Sequence, residues 1–288
     1  MGTILFVDSG CDLSIDFLNN NNIKFVPLAF EFEGQEYKDD FGKTMGYKEF
    51  YDKLREGVVS KTSQINIYNY YEEFKAYIEK GHSIIYIGLS SGLSGSAANA
   101  VMAKNQIEED FKDADISVVD SMGASMGIGL LAYYASEMLN KGIAKNDVVL
   151  WLEENKLRLN HWFTVEDLNH LKRGGRISPT AAALGTLLNI KPILNVNNEG
   201  KLIPVEKVKG RKKALKTLVE KLTENVIDVE QQVIAISHGD CIEEAEHVKE
   251  LILQRFNVKN IIINNIGPVI GSHSGPGTVA LFFLGNKR

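Results

Sequence analysis

Short apolar runs that end on small or acidic turn residues recur along the first half of the chain, with helix-like stretches between them. Thr3–Val7 runs into Asp8-Ser9-Gly10, Ser83–Leu89 into Ser90-Ser91-Gly92, and Ile116–Val119 into Asp120-Ser121. Continuous apolar runs of this length mark strands that are covered on both faces. Tyr47–Arg55, Tyr68–Lys80, Ala97–Phe111 and Met126–Lys141 read as the intervening helices, and Asp147–Asn155 as one more. Such alternation predicts a mostly parallel sheet with helices on both sides, a three-layer α/β/α unit. Lys24–Phe32 reads as a further strand, with Pro27 marking an edge or a bend. The hydroxyls of Lys61-Thr62-Ser63-Gln64 are placed to cap the helix that follows.

The second half has a different texture. Val165–Leu171 reads as helical and leads into Lys172-Arg173-Gly174-Gly175-Arg176. Thr180–Leu188 is small and apolar, as in a packed helix. Ile193–Val208, broken at Asn198-Glu199-Gly200, has the pattern of a β-hairpin. Arg211–Asn225 and Ile242–Phe256 are helical, and Gln232–Ser237, Ile261–Ile266 and Val279–Leu284 are strands. Hairpins with fewer helices predict a smaller two-layer α/β domain, with the division at 1–158 and 159–288.

Composition narrows the function. The 288 residues carry 32 Lys and Arg against 37 Asp and Glu, a net charge of −5. A weakly acidic chain is poorly suited to gripping phosphate backbones, so no nucleic-acid partner is expected. Two distant cysteines, Cys11 and Cys241, form neither a disulfide framework nor a zinc ligand set. Free thiols fit a reducing cytoplasm. MGTILFVDSG reads as a strand and not as a signal peptide, and no run reaches the length of a membrane span. The six histidines do not cluster at ligand spacing, and no metal is expected.

The loop Ser90–Ser96 is the most informative local feature. It joins the carboxyl end of a buried strand to a helix start, where open parallel sheets bind ligands and where free N–H groups favour anions. The same hydroxyls could instead only cap their own helix. Gly92-Leu93-Ser94-Gly95-Ser96 is one residue short of the G-x-S-x-G nucleophile elbow, and His273 allows the order Ser…Asp…His, so a serine hydrolase using Ser94 is the alternative. Against it, Ser96 stands where glycine should, and no particular aspartate can be chosen. There is no G-x-x-x-x-G-K-[ST] and no G-x-G-x-x-G. Asp8 and Asp12 flank a strand-end loop, as caps or as a metal pair. His273 lies in a glycine-rich stretch with Gly271, Gly275 and Gly277, and Lys172–Arg176 sets three cations around two glycines. The basic stretch Lys207–Lys216, with Lys209, Arg211, Lys212 and Lys213, is either a solvated face or a docking patch for an acidic partner.

Several pieces, in this order, carry a resemblance. They are Asp8-Ser9 with Asp12-Leu13, Val26-Pro27-Leu28, Lys61-Thr62-Ser63-Gln64, Ser90–Ser96, Asp120-Ser121, Asp167-Leu168 through Leu171 to Gly174-Gly175-Arg176-Ile177, Leu188–Pro192, and His273-Ser274-Gly275-Pro276-Gly277. Together they resemble the DegV family of bacterial fatty-acid-binding proteins from end to end. Two departures are small: the family commonly has Ser-Thr-Ala or similar where Gly10-Cys11 stands, and Thr where Ser96 stands. The resemblance implies an α/β domain followed by a smaller one, with an acyl chain buried between or beneath them. It implies a carrier with no chemistry or cofactor of its own, whose bound ligand is a long-chain fatty acid. The better-understood members hand the acid to a separate ATP-dependent fatty acid kinase, which makes acyl phosphate for phospholipid synthesis. By motif match, Thr62 and Ser94 would hold the carboxylate. Ser63, Gly95, Ser96, Arg173 and His273 would lie near or support it. Ala181–Leu188 and Met126–Leu139 are candidates for the tunnel lining.

Overall fold

A computed structural model describes residues 2–178 and 189–288. The expected helix 180–188 lies outside them. The first half runs β1 (Thr3–Asp8), α1 (Ile15–Asn20), β2 (Lys24–Val26), β3 (Ala29–Phe32), β4 (Gln35–Lys38), α2 (Tyr47–Arg55), β5 (Ser60–Ser63), α3 (Ile67–Ile78), β6 (Ser83–Gly88), α4 (Ser96–Asp110), β7 (Ile116–Asp120), α5 (Met126–Asn140) and α6 (Lys145–Asn155). After it come β8 (Leu159–Thr164), α7 (Asn169–Arg173), β9 (Ile190–Val196), β10 (Leu202–Lys209), α8 (Arg211–Asn225), β11 (Val233–His238), α9 (Ile242–Leu253), β12 (Asn260–Asn265), α10 (Pro268–Ser274) and β13 (Val279–Leu284).

The described strands form three sheets. One has the order β2-β1-β6-β7 and is parallel throughout. A mixed sheet has the order β10-β9-β8-β13-β11-β12, with only β11 and β12 parallel. The third, β4-β3-β5, is antiparallel. All strands of the parallel sheet end by Asp120, and all strands of the mixed sheet start at or after Leu159.

Two expectations fail in the first half, both at the third sheet. Lys24–Phe32 is two strands: β2 joins the parallel sheet, the chain breaks at Pro27-Leu28, and β3 pairs elsewhere. A proline supplies no ladder N–H, and the Leu28 N–H instead donates to Ser9 Oγ at 3.0 Å. Residues 61–63 do not cap α3. They form β5, with Thr62 opposite Phe30, and Asn66 caps the helix by accepting from the Asn69 N–H at 2.8 Å. In the second half, Val165–Leu168 precedes the helix, which starts at Asn169, and the glycine-rich stretch around His273 is partly helical as α10.

Helix α5 joins the two halves. Met126, Ile128, Leu130, Leu131 and Ala132 are all fully buried, which places the helix inside the protein rather than on a face. It packs on β1 and β6 of one sheet and on β8, β11 and β13 of the other. The core around it therefore mixes Leu5, Val7 and Ile87 with Phe163, Ala235 and Phe282.

Candidate functional site

The carboxyl ends of β1 and β6 face the start of α10 and the edge of β5, and a cavity of about 620 Å³ lies among them. At one end it is polar, with Thr62, Ser63, Gln64, Ser94, Gly95 and His273. Its apolar lining is shared between the mixed sheet, with Phe163, Ala280 and Phe282, and residues outside it, with Leu28, Leu89 and Ile270. Residues 126–139 of α5, expected as lining, are core instead, and only Ala124 and Ser125 just before the helix reach the cavity.

Each polar group is placed by its own element. The loop after β6 folds back on Ser90, whose carbonyl accepts the N–H groups of Leu93 (2.9 Å) and Ser94 (3.0 Å). Ser90 Oγ accepts the Gly92 N–H at 3.1 Å and donates to the Gly200 carbonyl at 2.9 Å, tying the loop to the β9–β10 turn. Ser94 Oγ accepts the Ser96 N–H at 3.2 Å and lies 3.0 Å from Ser96 Oγ, so it caps α4 and still reaches the cavity. Thr62 Oγ1 is 2.8 Å from His273 Nε2. His273 Nδ1 is buried without a hydrogen-bond partner among the described residues, against Gly174, where a Cβ would lie 1.9 Å from it. Burial, and then the charge of Arg176, push the His273 pKa down to about 4, so the imidazole is neutral.

His161 is buried and also lines the cavity. Its Nδ1–H donates to the Leu159 carbonyl at 3.0 Å, while Nε2 packs against Gly123 and Gly127. Burial, then the charge of Arg288, hold it well below its ordinary pKa. Asp8 is a cap: Oδ1 accepts the Gly10 N–H at 3.1 Å and Oδ2 accepts the Leu89 N–H at 2.7 Å. No cluster of three or more acidic, His or Cys side chains suited to a metal occurs among the described residues.

The family model described as uncharacterised protein, DegV family, matches residues 3–286. The chain belongs to the DegV family. A DegV domain-containing protein of Clostridium perfringens is 45% identical over 285 residues, covering 99% of this chain and 98% of the relative. A DegV lipid-binding protein from Thermotoga maritima superposes with a TM-score of 0.88 at 31% identity, covering 100% of both chains. A fatty-acid-binding DegV family protein from Thermus thermophilus gives a TM-score of 0.90 at 28% identity, covering 99% of this chain and 100% of that one.

Arg173 of this DegV chain points its guanidinium at His170 Nδ1, to which it donates at 2.9 Å, and it is not among the cavity-lining residues. Arg176 is, and its Nη1 donates to the Gly174 carbonyl. Nothing in the local sequence pattern marks Arg176 or Gln64 as a lining residue. The one available signal was the Gly174-Gly175 pair, which lets the backbone pass close to His273. The basic stretch divides. Lys207, Lys209, Lys212, Lys213 and Lys216 are exposed, whereas Arg211 pairs with Glu244 and Glu166 and donates to the Gly277 carbonyl.

Proposed function

We propose that this protein binds a long-chain fatty acid with its carboxylate among Thr62, Ser94 and the N–H groups that open α4, and its acyl chain along the mixed sheet. The observation that carries the reading is a single cavity with converging donors at one end and an apolar wall beyond them. A carboxylate leaving water needs several donors at once. Each buried methylene contributes about 0.8 kcal/mol, so a long chain contributes on the order of 10 kcal/mol gross, before the loss from ordering it. Ser63, Gly95 and Ser96 support or flank the carboxylate in this reading, and Arg176 rather than Arg173 supplies the cation on the cavity wall.

The carrier hands its ligand to a separate ATP-dependent fatty acid kinase in the cytoplasm, which forms acyl phosphate for phospholipid synthesis. Support comes from the family motifs and from the exposed lysines of the stretch Lys207–Lys216, a surface that an acidic partner would match. The division at residue 158 then separates the unit bearing Ser94 and Thr62 from the unit bearing His273 and the lysines.

A serine hydrolase is less well supported. Ser94 Oγ meets Ser96, whereas His273 is engaged with Thr62 and has no partner on Nδ1 among the described residues. A general base oriented by an acid and bonded to the nucleophile is the geometry that chemistry needs. The deciding experiment is mass spectrometry of lipid released from the purified protein, with saturable rebinding after delipidation. Recovery of acyl chains and rebinding is expected. Their absence, or labelling of Ser94 by a fluorophosphonate, overturns the carrier reading.

A further inference from the structure

The strand register orders the depth of the cavity. β13 follows α10 and the turn after His273, and its side chains on the cavity side come as Ala280 and then Phe282. Ala280 stands opposite Phe163 of β8, and Phe282 opposite His161. The pairing of Phe163 with Leu194 sets Val196 of β9 opposite His161, and Leu202 of β10 stands opposite Val196. Phe282, His161, Val196 and Leu202 thus form one cross-strand row, and all four line the cavity. The next pair on the same face, Leu159 with Leu284, does not border it among the described residues. The row is therefore the end of the cavity floor on β8 and β13, one step deeper than Phe163 and Ala280.

His161 does more than pave this row. Gly123 precedes α5 and Gly127 is its second residue, and a Cβ on either would lie 2.3 or 2.0 Å from His161 Nε2. The imidazole tip thus touches the backbone of the layer that faces the sheet, and Nε2 is buried there. A side chain that reaches from one layer to the other closes the space between them. The ring is also held in place. Its Nδ1–H donates to the Leu159 carbonyl, the same oxygen that accepts Arg288 Nε–H at 3.0 Å. The Phe282 ring meets it edge to face, with centroids 5.4 Å apart.

We propose that His161 is a specificity-determining residue for the bound fatty acid: its imidazole is the wall against which the methyl end of the acyl chain stops, and so it sets the chain length that fits. This inference rests on the fatty-acid reading above and adds which straight-chain acids the site prefers. Each methylene buried before the wall strengthens binding by about four-fold. A chain longer than the floor must fold back on itself or drive the imidazole from Leu159 and the two glycines, and overpacking of a closed space is costly. Affinity should then climb with chain length and drop past one acid. Burial keeps the imidazole neutral, so a methyl group can rest against it without meeting a charge.

The test is a ranking. The delipidated protein and its His161→Ala and His161→Val variants are titrated with lauric, myristic, palmitic, stearic, arachidic and behenic acids, each below its aggregation threshold. The parent should show a maximum, with affinity rising by about fifteen-fold per acid up to it, two methylenes at a time, and falling by about tenfold past it. Both variants should move the maximum to the next longer acid. The acid just past the parent's maximum should bind them about tenfold more tightly than it binds the parent. Valine is at home in a strand, which covers the case that the alanine variant does not fold. A purely structural role for His161 would weaken every acid by one factor and leave the ranking as it is, as Ser94→Ala should, since it acts on the carboxylate that all six share. An unchanged ranking in folded variants, or a parent whose affinity climbs through the whole series, overturns the inference. Failure of the parent to bind any of the six acids overturns the carrier reading itself, a result distinct from binding with an unaltered ranking.

Discussion

The Thr62 hydroxyl lies 2.8 Å from His273 Nε2, joining residues 211 positions apart in the chain. Thr62 stands on β5 of the small antiparallel sheet and His273 near the end of α10. Neither element reaches Ser94, yet all three side chains border one cavity end. Ser94→Ala and Thr62→Ala should each weaken fatty-acid binding by about 1–3 kcal/mol, the cost of leaving a charged partner without a donor. Both side chains are only half-buried, so the melting temperature should stay close to that of the parent. Equal affinities for parent and both variants, measured by calorimetry, would place the headgroup elsewhere.

Gly174→Ala should disturb His273 specifically. The added Cβ would meet Nδ1 at 1.9 Å, and the imidazole can yield only by leaving Thr62. Overpacking of this kind costs about 1–3 kcal/mol, here spread between stability and the site. Weaker fatty-acid binding together with an altered His273 imidazole resonance in NMR spectra is the expected pair of changes. An unchanged resonance in a folded variant would contradict the close approach.

The basic stretch should respond to mutation in two different ways. Lys209→Glu, Lys212→Glu and Lys213→Glu together should raise the apparent KM of a cognate kinase for this carrier, more so at low salt, with fatty-acid binding intact. Arg211→Glu should instead unfold the protein more readily, by on the order of 3 kcal/mol, because it strips Glu244 of its partner, leaves Glu166 with Lys191 alone and adds a third negative charge. Kinase titrations at two ionic strengths and thermal melts separate the two effects. Identical kinase curves for parent and the triple-lysine variant would remove the docking patch.

Stability should fall as the pH rises from about 6.5 to about 8. Burial raises the Asp8 carboxyl from 3.8 to about 6 and the Asp12 carboxyl to about 7, and it raises Asp39 as well. The native state then holds protons that the unfolded chain releases. Their stabilising effect is complete below 3.8 and is lost as the pH passes through about 6 and about 7. The depressed His273 and His161 work in the opposite sense, but below 6.5, where unfolded histidines gain protons that the native ones do not. Thermal melts across this range are the measurement, and a melting temperature that rises towards pH 8 would contradict the assignment.

Much of the fold is legible in local patterns. The β6 run Ser83–Gly88, the helix Arg211–Asn225 and the hairpin around Asn198-Glu199-Gly200 all follow from periodicity and turn residues, because strands and helices bury apolar faces with different periods. Lys24–Phe32 was less legible: its apolar residues run through Pro27, and only the missing N–H hints that the two pieces join different sheets. The hydroxyl of Thr62 fits a helix cap as well as it fits a strand, so its spacing alone does not place it on β5. Short polar strands such as Ser60–Ser63 have no apolar alternation to reveal them, and their pairing partners lie far off in sequence.

The sequence by itself determined the family, the α/β alternation, and the loop that sets Ser94 at the end of a buried strand. Those properties are local, carried by residue spacing within single elements. Tertiary structure alone decided that Thr62 meets His273, that Arg211 is spent on Glu244 and Glu166 while its neighbouring lysines stay exposed, and that the buried Tyr70 and Tyr86 hydroxyls meet beside Asp8. Such relationships depend on which faces pack together across long stretches of chain. Periodicity says that a face is buried but not what it is buried against, and a hydrogen bond needs the second answer.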